Sequence, residues 1–167
     1  MRRWAYVLPG LICVVVGVML RARCLDLQAK EASRSDSLRS KPGFLFLELF
    51  TPHVGDYVRF LQTVAGFRLV HEEAGFAELR SEMGEMMVNS GKGLPAGHPF
   101  HGKVLGHDQG IGVEIGIVVA DVTAARQAAL QFKEWSASEI RRQPWGQSDF
   151  RVVTGDGYYF RLTEPAR

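Results

Sequence analysis

Cysteine is nearly missing from this 167-residue chain: there are two, Cys13 and Cys24, and both precede residue 43. Everything from Gly43 onward can hold neither a disulfide nor a thiolate metal site, so its stability has to come from packing. The redox compartment stays open, because a cysteine-free domain folds equally well in reducing and oxidising surroundings. A basic face is missing too. The net charge of +2 conceals a division: residues 1–42 carry eight Lys/Arg against three Asp/Glu, and residues 43–167 carry twelve against fifteen. A mildly acidic domain gives no electrostatic footprint for nucleic acid, which is set aside as a partner. There is no Ser/His/Asp arrangement, phosphate loop or dinucleotide fingerprint, and no nucleophile stands out.

One uncharged apolar run is present, Trp4 to Leu20, between Arg2-Arg3 and Arg21 and Arg23. Its length reaches the lower limit for a membrane-spanning helix, and the same pattern serves a secretory signal. No Ala-x-Ala follows it; the nearest small pair is Ala22 and Cys24, where two arginines disfavour cleavage. Residues 1–24 are therefore expected to be a membrane anchor or signal peptide, with attachment through residues 4–20 and a membrane-anchored or exported product. The balanced arginines leave orientation unassigned. A translation start at Met19 would instead leave the protein cytoplasmic. Residues 25–42 form a polar linker.

Residues 43–167 read as one α+β domain, α/β in the sense of sheets covered by helices, built from two βαβββ modules at about 43–90 and 112–165. Gly43–Phe50 is a strand, with Leu45, Leu47 and Leu49 on one face and Phe44, Phe46 and Glu48 on the other. Val54–Val64 is an amphipathic helix ending before Gly66, followed by strands at Phe67–His71, Phe76–Arg80 and Glu85–Asn89. After a Gly/His/Pro-rich connection the order returns: strand Val113–Val119, helix Val122–Phe132, and strands Ser138–Arg142, Phe150–Thr154 and Tyr158–Thr163. The period is about 68 residues, too long for a solenoid, so two fused modules with a cleft between them are expected.

The second half carries Gly112-Val113-Glu114-Ile115, Val119-Ala120-Asp121-Val122, Gln143-Pro144-Trp145-Gly146-Gln147-Ser148-Asp149-Phe150-Arg151-Val152 and Asp156-Gly157-Tyr158-Tyr159-Phe160-Arg161-Leu162. This resembles the vicinal oxygen chelate superfamily of glyoxalase I, extradiol dioxygenases and bleomycin-resistance proteins, most closely the bleomycin-resistance-like branch. The first half, through Phe60-Leu61 and Ala65-Gly66-Phe67, matches more weakly. The resemblance implies paired βαβββ modules curved around a cleft with helices outside, and often a homodimer.

Metal enzymes of that family place His, Gln or Glu on the first and fourth strands of each module, because a divalent ion needs convergent oxygen or nitrogen ligands. Counting from the turns puts Phe46, Val88, Glu114 and Arg161 at these positions, and of the four only Glu114 can bind a metal. A guanidinium cannot coordinate and repels a cation. His98, His101 and His107 lie in a Pro/Gly-rich connection rather than on a ligand framework.

The expectation is a metal-free domain, with no cofactor, that sequesters or senses a small organic molecule. Phe46, Glu48, Glu114, Trp145, Tyr159 and Arg161 are its candidate ligand-binding residues. Glu114 and Arg161 are expected to pair across neighbouring strands, and Phe44, Met86 and Val88 to line the cleft beside Phe46 and Tyr159. Two alternatives stand beside this: a divalent-metal-dependent glyoxalase-, lyase- or dioxygenase-type enzyme working through Glu114, Glu48 and a displaced partner, and a dimeric interaction module.

Overall fold

A computed structural model describes residues 42–82, 84–103 and 107–166. The apolar run and nearly all of the linker lie outside these residues; among the described ones, no helix is long and apolar enough to cross a membrane.

The first module runs β1 (Phe46–Phe50), α1 (Val54–Thr63), β2 (Arg68–Glu73), β3 (Phe76–Arg80) and β4 (Glu85–Asn89). The second runs β5 (Glu114–Val118), α2 (Val122–Ala129), β6 (Ser136–Ala137), β7 (Arg141–Arg142), β8 (Ser148–Val153) and β9 (Tyr159–Thr163). The first strand, the helix and the start of the second strand recur at a separation of 68 residues: 46 and 114, 54 and 122, 68 and 136. Each module forms a mixed sheet in which the first strand lies parallel to the last, ordered β1-β4-β3-β2 and β5-β9-β8-β6, with β7 also paired to β8.

Alternation along the strands sends one face of each sheet against the helices. Leu49, Ala77, Leu79 and Val88 of the first sheet and Phe150, Val152, Phe160 and Leu162 of the second are buried there with Tyr57, Phe60 and Leu61 of α1. The two modules share this core. Phe60 packs on Phe160 and Phe132, and Tyr57 on Trp135 and Tyr158, with ring centroids 4.9–5.9 Å apart. Burying such aromatics contributes several kcal/mol each, of order 3–5 on truncation to alanine.

A polar clamp joins the modules at one end. The amide of Phe50 donates to the Tyr158 hydroxyl at 3.1 Å, and that hydroxyl donates to the Phe50 carbonyl at 3.1 Å. The Tyr57 hydroxyl donates to Thr154 Oγ1 at 2.7 Å, and the Thr51 hydroxyl to Asp156. Every one of these groups is buried, so each bond also removes an unsatisfied polar atom from the interior.

The register of β4 corrects one expectation. Leu47 pairs with Met86 and Leu49 with Val88, so Met86 and Val88 point at the helices, and both belong to the core. Met87, opposite Glu48, takes the position expected for Val88. A slip of one residue exchanges the faces of a strand.

Candidate functional site

The helix-free faces of the two sheets carry the remaining side chains. On the first module these are Phe46, Glu48, Phe50, Glu78, Arg80, Glu85, Met87 and Asn89, by their register with Glu48. Arg80 pairs with Glu78 and, at 3.2 Å, with Glu85. Asn89 Nδ2 donates to Glu48 Oε1 at 2.9 Å. The inter-module connection folds over Phe50, whose ring lies 4.9 Å from Phe100 and 5.7 Å from His98. Backbone atoms engage the Nδ1 of each connection histidine: Phe100 N for His98 (3.1 Å), Leu94 O for His101 (2.6 Å) and Gly155 O for His107 (3.1 Å).

The second module presents a denser cluster. Arg151 and Arg161 face each other across β8 and β9. Asp149, its side chain only 2% exposed, sits between them, 2.7 Å from Arg151 Nη1 and 3.1 Å from Arg161 Nε. Gln143 Nε2 donates to the same carboxylate at 2.8 Å. Glu114, on β5, approaches both arginines from the open side at 3.8 Å and 3.6 Å, with 41% of its side chain exposed. Arg151 Nε donates to the Tyr159 hydroxyl at 2.9 Å, and the Trp145 ring lies 5.0 Å from the Arg161 guanidinium carbon. Burial alone would lower the pKa of Arg151, but Asp149, Tyr159 and Glu114 outweigh it and hold the guanidinium above its ordinary value.

The structure thus brings Glu114, Trp145, Tyr159 and Arg161 together, while Phe46 and Glu48 stand on the other sheet. Asp149 and Arg151 were missed. Their signal was the alternation Asp149, Arg151, Val153 along β8, hidden because the expected strand began at Phe150.

A divalent metal fits poorly here. The equivalent first- and fourth-strand positions of the two modules are Phe46 and Met87, Glu114 and Arg161. Glu114 is the one oxygen ligand among them and already faces two guanidiniums. Among the described residues, no three His, Cys, Asp or Glu side chains gather as a metal ion requires.

A separate hollow of about 610 Å³ lies between the start of α1 and the β2–β3 turn, lined by His53, Asp56, Arg59, Gly75, Ser90 and Lys92 among others. Arg59 and Asp56 there pair with each other at 3.0 Å.

Paired βαβββ modules with helices on one side of both sheets define a class of protein, and solved structures confirm it. A protein of unknown function from Agrobacterium tumefaciens is 21% identical with a TM-score of 0.59, over 76% of this chain and 97% of that one. A glyoxalase/bleomycin resistance protein from Albidiferax ferrireducens is 13% identical at 0.56, over 74% and 98%. The bleomycin resistance determinant encoded on transposon Tn5 is 14% identical at 0.50, over 74% and 98%. The chain has the fold of the vicinal oxygen chelate (glyoxalase/bleomycin-resistance) superfamily. No protein-family model and no curated protein sequence matches it.

Proposed function

We propose that this protein binds a small organic molecule on its helix-free face without a metal, sequestering or sensing it, with the second module's arginine–carboxylate cluster as the polar anchor. The observation that carries this reading is Arg161 at a position where a metal enzyme of this fold needs a ligand atom. Arg161 is partly open to solvent and has a 56% exposed tryptophan, Trp145, stacked on it. A few convergent polar groups beside apolar surface are what a small-molecule site requires. The likeness to a bleomycin resistance determinant supports the reading through the fold alone.

The test is metal content and thermal unfolding of the full chain with nickel, iron, manganese or zinc. The expected result is no stoichiometric ion and no shift in melting temperature. One ion per chain stabilising the fold by more than about 1 kcal/mol, lost in Glu114→Ala, would replace this reading with a metal-dependent lyase or dioxygenase.

A further inference from the structure

Resting on that reading, we propose that Glu114 is a displaceable internal anion and that the site takes an aromatic carboxylate, which replaces Glu114 on Arg151 and Arg161. The two acids of the cluster differ in kind. Asp149 is buried, within direct ion-pair distance of both arginines, and held by Gln143 as a third partner. Glu114 is 41% exposed, and its distances of 3.6 and 3.8 Å lie beyond hydrogen-bond range. Asp149 builds the site and Glu114 closes it loosely.

The hydrogen-bond inventory points to an acceptor-rich ligand. Each guanidinium brings five N–H donors and no acceptor. Within the cluster Arg151 Nε donates to Tyr159 and Arg161 Nε to Asp149, and Arg151 Nη1 stands 2.7 Å from Asp149, which leaves the other guanidinium N–H groups for a ligand. Donors outnumber acceptors, and a planar carboxylate matches the guanidinium fork. A cationic ligand would meet two guanidiniums. With Glu114 swung into solvent, a singly charged carboxylate leaves the cluster as neutral as before, whereas a phosphate dianion adds a second charge beside Asp149.

The aromatic part of the ligand follows from the surroundings. Trp145 is 56% exposed while stacked on Arg161, and Val118 and Val153 stand 61% and 40% exposed on the same face of β5 and β8. A ring beside the carboxylate lies against this apolar rim and stacks on the indole.

Calorimetric titration of the full chain with phenylacetate, phenylacetamide and phenethylamine separates the charge states on one ring. Phenylacetate is expected to bind about tenfold or more tighter than the other two. Glu114→Gln, which keeps shape and removes the competing charge, is expected to tighten it by about threefold or more, with the far-UV spectrum unchanged, and Arg161→Met to abolish the preference. Unchanged or weaker phenylacetate binding in Glu114→Gln overturns the inference. Amine binding that Glu114→Gln weakens also overturns it, yet keeps the binding reading. Absence of binding by all three probes in both the wild type and Glu114→Gln defeats the inference alone, the binding reading being tested by metal content and by the response to a wider set of small molecules.

Discussion

Tyr57 shows what burial does to one titratable group. Its side chain is 1% exposed, and that burial pushes the phenol well above its ordinary value, partly opposed by the bond to Thr154 and reinforced by Asp156. Tyr158 is raised likewise, by burial first, with its Phe50 backbone bond opposing. A phenol whose pKa is raised on folding stabilises the fold fully below the unfolded value of about 10, and the stability is lost as pH rises above it. Urea midpoints should therefore hold steady to about pH 10 and then fall. Tyr57→Phe should flatten that fall while lowering stability at neutral pH by about 1 kcal/mol. Asp149→Ala, which strips two arginines of their fixed partner, should destabilise by about 1–3 kcal/mol in the same assay, the lower half of the range reflecting the arginines' partial exposure. Strand alternation was enough to place Glu114, Tyr159 and Arg161 on one face, because polar and apolar residues alternate along β9. It failed on β4, where Glu85-Met86-Met87-Val88-Asn89 has three consecutive apolar residues and so no phase. Only pairing with β1 decides that register.

The two helices differ at their starts. Asp121 caps α2 by accepting from the amides of Thr123 at 2.8 Å and Ala124 at 3.0 Å, whereas His53 before α1 makes no side-chain cap bond. Asp121→Ala should cost about 0.5–2 kcal/mol, read as a lower melting temperature. Gly157 precedes β9 at φ +87°, and a Cβ there would stand 2.7 Å from the Asp108 amide nitrogen. Gly157→Ala should destabilise by more than about 2 kcal/mol, since neither the left-handed backbone nor the packed main chain can yield cheaply. Of the strand expected at Ser138–Arg142 only Arg141–Arg142 (β7) forms, and β6, Ser136–Ala137, precedes the expected start. Between them the Ser138 amide donates to Arg151 O at 2.8 Å, the Ser138 hydroxyl accepts from Arg151 N at 2.9 Å, and the Ser138 carbonyl accepts from Arg126 Nε at 2.8 Å. A side chain stands in for part of the ladder, which residue periodicity does not reveal.

At the scale of the molecule, the repeat of 68 residues foretold two modules. It did not foretell how fully they merge: α1 buries Phe60 against Phe160 of the other module, and a polar clamp ties Phe50 to Tyr158. Such contacts join residues a hundred or more positions apart, so no local pattern carries them. The merger leaves each helix-free face intact, and the modules have diverged there. Glu114 and Arg161 occupy positions that Phe46 and Met87 hold in the first module. The second module thus carries a two-arginine cluster beside an exposed tryptophan, where the first carries Arg80 between Glu78 and Glu85. The most direct test of this account is the NMR response of the EDTA-treated full chain to a small-molecule library, followed at the Trp145 indole N–H and the Nε–H of Arg151 and Arg161. The account predicts that binders shift these three signals with no metal present. Binders that act only after a divalent ion is added, or that shift the residues of the hollow at His53 and Lys92 instead, would contradict it.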